Sequence, residues 1–395
     1  MRPPARNSVV LAAASGALML AGCGAGEAGE SDESTPHGYV EGAEETAEPQ
    51  WRLVVADAES GALRMLDPAT EEITEAGEVP GVREAVTDGR FVYLGTGAEA
   101  TVFDSGAWTV DHGDHVHYYR TEPDMLGTTG AGDGLRAAGD QAVTALTTDD
   151  GSHVLDRNAL EEDGEVSEAA TVDGAAALSL NERLLVAGTG ESGAFQVLAR
   201  DGEPAESEVT EDCPDPEAQA STRRGAVFGC SDGAVVVTEE DGGDLAAERI
   251  PYPDGADPVR SFHHRPTTPV LAGETGDGAV RVLDIAAEAW TPIDTEEPVL
   301  AASAAGEDLP VLVLGADGAL RSYDPESGEE LAGTDLLEAP SGGASEPRIR
   351  IDTSRAYVND PAGRVVHEID YNDDLRVART FEFDITPDLM VETGW

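Results

Sequence analysis

The chain has 395 residues, of which 79 are acidic and 24 basic, for a net charge of −55, and every one of its cations is an arginine. Such a charge excludes general nucleic-acid binding, because the phosphate backbone would be repelled. It suits metal cations near the surface, although an acidic, lysine-free, Ala/Gly-rich composition is also what a GC-rich genome and a salty habitat produce.

The N-terminus carries Arg2 and Arg6, then an apolar and small-residue run from Val9 to Leu20 that is too short for a transmembrane helix. The run ends in Leu20-Ala21-Gly22-Cys23, which matches the bacterial lipobox. The match implies a signal peptide over 1–22, cleavage before Cys23 and lipidation of its thiol. The mature protein is then extracytoplasmic, anchored by lipid to the outer face of the cytoplasmic membrane. Residues 23–50 are rich in Gly, Glu and Ser and lack a sustained apolar pattern, so they read as a flexible acidic tether. His37 lies in it, a candidate metal ligand where the tether touches a site and otherwise a solvated linker residue.

From Trp51 to the C-terminus the chain repeats, and residues 51–395 are expected to form one domain. The unit is a β-hairpin with a polar turn whose second strand ends in an apolar residue and usually Asp. Gly61 to Asp67, Ala100 to Asp104, His153 to Asp156, Gly193 to Leu198, Gly233 to Val237, Gly278 to Asp284, Gly318 to Asp324 and Gly363 to Asp370 carry it. The copies recur about every 43 residues, the period of a four-stranded propeller blade. The fold class is therefore all-β, a β-propeller of four-stranded antiparallel sheets, with eight blades, or seven if one hairpin is an excursion. The first copy lacks a preceding inner strand, and Thr386 to Val391 is left over, so the C-terminal segment is expected to close the ring through the first blade.

The stretch Asp111 to Tyr119 (DHGDHVHYY) holds three of the chain's eight histidines. His115 and His117 are two apart, so on a strand they share a side. His112 and Asp114 belong to the Gly-containing turn before them. Converging imidazoles and a carboxylate are what Zn²⁺ takes as ligands. The interval from Asp104 to Asp156, at 52 residues, is the longest in the series, which marks an insertion at this cluster. Its place after the second hairpin assigns it to the outermost strand or to the crossover that follows. The face expected for it is the one shared with His153 and with the cysteine pair.

Cys213 and Cys230 are the remaining cysteines. Outside the cytoplasm they read as a disulfide, with metal ligation as the minority alternative. His153 and His367 hold equivalent slots in their repeats, where solvated strand residues are common; His153 follows the loop Asp149-Asp150-Gly151 and stays a candidate ligand. His263 and His264 end an inner strand at the central channel, where one of the two can face a metal.

The lipobox, the segment His37 to Glu45 (HGYVEGAEE), the Asp111 to Tyr119 motif, Arg364 to Tyr371 (RVVHEIDY) and the ending Met390 to Gly394 (MVETG) together resemble the AztD zinc metallochaperones. The similarity runs from His37 to the end of the chain, and the His/Asp motif is its specific part. The resemblance implies a propeller that binds Zn²⁺ outside the cytoplasm and hands it to the solute-binding protein of a zinc ABC importer. The chain departs from the pattern after Cys213, where Pro214 to Gln219 contains no His, and at Tyr39, where a second tether His would stand. These departures put one of the implied zinc sites in doubt. A non-enzymatic, monomeric zinc carrier is thus the expectation. A metal-dependent hydrolase or lactonase on a propeller and a protein-interaction propeller are the alternatives; no Gly-x-Ser-x-Gly nucleophile motif supports the former.

Overall fold

A computed structural model describes residues 40, 42–113, 115–190, 192–339 and 347–395. The expected signal peptide over 1–22, Cys23, His37 and Asp114 lie outside the described residues. The described residues are built mainly of β-strands, with a helical turn at Ala159–Asp163.

Among the described residues, eight antiparallel meanders follow one another, seven of four strands and one, the fourth, of three. The first is Leu389–Thr393, Arg52–Ala56, Ala62–Asp67 and Glu72–Glu78, so its inner strand comes from the C-terminus, as the unpartnered ending of the sequence implies. Hydrophobic clusters show how the ring is held. One joins the first and second sheets through Val54, Val92 and Val391. Another joins the third and fourth through Val154 and Val186. The last joins the eighth back to the first through Tyr357, Leu53 and Met390. The second strands, such as Phe91–Gly95 and Val311–Gly315, are buried along their whole length because both faces meet a neighbouring sheet. That is why they read as continuous apolar runs rather than alternating ones.

The Asp that ends so many repeats has a local cause. Asp67, Asp284 and Asp324 each accept backbone N–H bonds from the residues two and three positions on, at 2.8–3.3 Å. These Asx turns lead the third strand of a sheet into its outer strand.

Strand direction alternates, so the first-to-second and third-to-fourth connections share one face of the ring, and the second-to-third connections share the other with the crossovers. The Cys213–Cys230 disulfide, with S–S 2.01 Å, joins a crossover to the end of a second strand and lies on the crossover face. The folded unit begins at Val40, and Glu44–Thr46 is a strand. The end of the expected tether is therefore part of the folded structure.

Candidate metal centre

The second sheet is built from Glu84–Thr87, Phe91–Gly95, Glu99–Asp104 and Asp124–Gly130. Between its third and fourth strands the chain makes an extra hairpin, Ala107–Asp111 and Val116–Arg120. The insertion expected from the repeat spacing is this hairpin, but it sits within the sheet's own meander and not in the outer strand or crossover. By strand direction it stands on the face opposite the disulfide, together with both ends of the folded unit. Counting strands from the repeat alone misses this, because an inserted pair of strands leaves the register of the sheet unchanged.

The root of the hairpin is fixed by charge and aromatic packing. Arg90 makes a buried fork to Asp104, with Nη2 to Oδ2 at 2.7 Å, and its guanidinium lies 3.8 Å from the centre of the Trp108 ring. Trp108 stacks on Tyr119 at 5.2 Å, and Tyr119 stacks on His117 at 6.0 Å. At the neck, Gly106 has φ of 68°, and a Cβ there would come within 2.3 Å of the Thr121 carbonyl. Thr109 Oγ1 donates to the Gly394 carbonyl at 2.7 Å, and the Gly394 N–H donates to Gly89, so the C-terminus braces the hairpin.

At the tip, local hydrogen bonds hold His112, Gly113 and His115. Gly113 takes φ of 85° and its N–H donates to Asp111 Oδ1 at 2.7 Å, while the His112 N–H donates to the His115 carbonyl at 3.0 Å. The turn folds His112 back over His115, and the first strand position after it points Val116 away and His117 in. The three rings lie 4.9–5.4 Å apart, and one nitrogen from each falls within a common span of 4.8 Å. Among the described residues this is the one group of three or more His, Cys, Asp or Glu side chains close enough to hold a metal ion. His112 and His115 are exposed and His117 is buried.

The third strand of this small sheet is Glu44–Thr46, which pairs antiparallel with Val116–Arg120. It brings Glu45 Oε1 to 2.7 Å from His117 Nδ1 and Glu44 to 2.7 Å from Arg120. A carboxylate on Nδ1 fixes the tautomer with the proton there and leaves Nε2 as the ligand atom. Sequence reasoning gave Glu45 no role at the cluster, since nothing local ties it to a histidine 72 positions later.

The other candidate histidines are not brought to this cluster. His153 is paired with Glu168 on the neighbouring strand of its own sheet, Nδ1 to Oε2 at 2.7 Å, with Gly130 against its ring. His263 and His264 line the central channel. His263 Nε2 contacts Ser261 Oγ at 3.1 Å and stands 3.7 Å from Glu274, while His264 Nε2 contacts the Ser221 carbonyl at 3.3 Å. Enclosure within the channel, followed by the positive field of Arg350 and Arg348, drives His263 down to about 3. Enclosure alone is the main cause that takes His264 to about 4. His367 contacts Thr380 Oγ1 and is unrelated to the cluster.

No protein-family profile matches the chain, and no curated protein does. Solved structures do. The crystal structure of Citrobacter koseri AztD is similar with a TM-score of 0.72 and 16% identity, over 88% of this chain and 99% of that one. A structure of apo AztD from the same organism gives 0.71 and 15%, over 88% and 98%. The dihydro-heme d1 dehydrogenase NirN in complex with DHE gives 0.55 and 15%, over 88% and 76%. At these identities the likeness establishes the fold, a β-propeller.

Proposed function

We propose that this protein is an extracytoplasmic zinc carrier of the AztD type. It binds Zn²⁺ through His112, His115 and His117, with Asp114 or water completing the shell, and delivers the ion to the solute-binding protein of a zinc ABC importer. The observation that carries the reading is the convergence of three imidazoles at a hairpin tip, with His117 oriented by Glu45. Three neutral nitrogen donors and one open position are a coordination set Zn²⁺ accepts readily. Exposure of His112 and His115 suits transfer, because an incoming ligand of the partner can reach the ion and exchange stepwise. A structural zinc site would be closed and buried. A hydrolytic site would need an open metal position facing an enclosed substrate pocket with its own base, whereas His112 and His115 are exposed to solvent. The whole-chain resemblance to the AztD metallochaperones and the matching fold support the same reading, the lipobox at Cys23 supports a lipid anchor, and the Cys213–Cys230 disulfide suits an oxidising compartment.

The test is zinc titration of the purified protein against a chromogenic chelator. About one tightly held Zn²⁺ is expected at this site, and His115→Ala with His117→Ala removes it. Unchanged stoichiometry and affinity in the double variant overturn the assignment. Transfer is tested separately, by mixing zinc-loaded protein with the purified solute-binding protein and following the metal.

A further inference from the structure

The inner strands of the ring enclose a cavity of about 500 Å³ whose charge is opposite to that of the protein as a whole. Four of the chain's 24 arginines line it, Arg136, Arg223, Arg260 and Arg350, against three of its 79 acidic residues, Asp88, Asp111 and Glu392. Arg260 is itself paired with Glu217, Nε to Oε2 at 3.3 Å. Asp88 is consumed by Arg157 at 3.1 Å, the Tyr93 hydroxyl at 2.8 Å and the Thr144 hydroxyl. Asp111 accepts from Gly113 at the rim. Glu392 is buried, and loss of water together with the nearby Asp352 pushes its carboxyl well up toward the neutral form.

Arg350 is the centre of this arrangement. It lies on the inner strand Ile349–Ile351 of the eighth sheet. Its Nε donates to the Met390 carbonyl at 3.1 Å, which fixes the guanidinium plane across the junction of the eighth and first sheets. Burial, and repulsion from Arg348, lower it to about 10, so it stays charged at neutral pH. Glu392, itself pushed toward the neutral form, is its charge partner, so the guanidinium is only partly compensated. His263, facing the same positive field, is held neutral and offers a ring N–H, and Ser221, Ser261 and Gln219 add polar groups to the wall.

We propose that the central channel is a binding site for a small oxyanion, a di- or tricarboxylate or inorganic phosphate, held by Arg350 and the channel hydroxyls, with Arg136, whose Nη atoms already donate to the Glu217 and Ala175 carbonyls, adding positive charge from the wall. A planar guanidinium in a part-enclosed cavity is suited to fork onto two oxygens of such a group. The cavity volume falls in the range of small-ligand sites. The cavity reaches the histidine hairpin at Asp111 on its rim, but the proposal does not use the three imidazoles and stands whether or not they bind zinc.

The experiment is calorimetric titration of the metal-free, full-length protein in low-chloride buffer with citrate, succinate and inorganic phosphate. At least one is expected to bind with 1:1 stoichiometry and to perturb the fluorescence of Trp395, which lines the cavity. The citrate and phosphate arms tell carboxylate from phosphate. Arg350→Gln removes charge-assisted hydrogen bonds and should weaken binding about tenfold or more. Arg64→Gln, which breaks a pair with Asp384 on the outside of the ring, should leave it unchanged, as should His115→Ala with His117→Ala. Circular dichroism checks folding, and Arg136→Gln serves as the second channel variant where Arg350→Gln does not fold. Absence of binding by all three anions overturns the proposal, and so does equal weakening by Arg64→Gln and the channel variants.

Discussion

Nδ1 of His117 lies 2.7 Å from Oε1 of Glu45, across a strand pairing that joins the first folded residues to the hairpin of the second sheet. The carboxylate does not reach for a metal; it decides which imidazole nitrogen carries the proton. Glu45→Gln keeps the shape and a hydrogen bond but loses the charge that strengthens the ligand's basicity. Zinc affinity should fall about 10- to 100-fold with stoichiometry intact, read by competition with a chelator of known affinity. An unchanged affinity would leave Glu45 as a strand residue only.

Trp108 connects the metal hairpin to the ring through Arg90 on one side and Tyr119 on the other. It is 6% exposed. Trp108→Ala empties that position and should cost about 3 kcal/mol or more of local stability, felt first by the hairpin. Amide exchange over Val116–Arg120 should quicken and zinc affinity should drop, while exchange in the sheets across the ring stays slow. Uniform quickening throughout the protein would show that the hairpin has no separate stability to lose.

The fold was legible because most repeats advertise themselves twice, by an apolar second strand and by the Asp that ends the third, though the copies ending at Leu198 and Val237 lack the Asp. The histidine cluster was legible for the same kind of reason, being local in sequence. What was not legible depends on pairings between distant segments. Glu44–Thr46 has a polar sequence and becomes a strand only because Val116–Arg120 offers it an edge. The hairpin's face could not be read either, since it turns on whether two strands were inserted before or after the fourth strand of a sheet. His153 looked like a ligand by its loop, but its partner Glu168 is supplied by the adjacent strand.

His263 makes stability depend on pH with a definite sign. Its folded value of about 3 lies below the ordinary value of 6.5, so between those limits the unfolded chain holds a proton that the folded one does not. Stability from this group is complete above pH 6.5 and is lost as pH falls toward 3. His264, at about 4, acts in the same direction, and Glu392, whose carboxyl is raised, acts in the opposite one. The His263→Gln variant isolates one contribution. Thermal melts from pH 7 to pH 5 should show a smaller loss of Tm in His263→Gln than in wild type; parallel curves would show that the ring is not held neutral in the channel.

The disulfide and the histidine hairpin stand on opposite faces, so their effects should separate. Cys213 and Cys230 are 17 apart, and in the chain-entropy account a loop of that size is worth about 3 kcal/mol. Cys213→Ser with Cys230→Ser should lower Tm by several degrees and leave zinc affinity and stoichiometry as they were. Loss of zinc binding in a variant that still melts cooperatively would mean that the cysteines take part in the metal site.

Closure of the ring rests on Leu389–Thr393, which pairs with Arg52–Ala56 from Arg52 opposite Thr393 to Ala56 opposite Leu389. Met390 packs into the cluster shared with the eighth sheet and Val391 into the cluster shared with the second. Burying each such side chain is worth about 1.5–3 kcal/mol, and the strand also supplies the hydrogen bonds of an otherwise open edge. Against a total stability of about 5–15 kcal/mol for a folded domain, deleting residues 386–395 should remove most of the margin and leave the Arg52–Ala56 edge free to aggregate. Thermal melting and size-exclusion chromatography of the truncated protein should show a broad, low transition and higher oligomers. A synthetic peptide of residues 386–395 should partly restore the wild-type transition by adding itself as the missing strand. A truncated protein that stays monomeric with an unchanged Tm would mean that the ring closes by its side-chain clusters alone, without the strand.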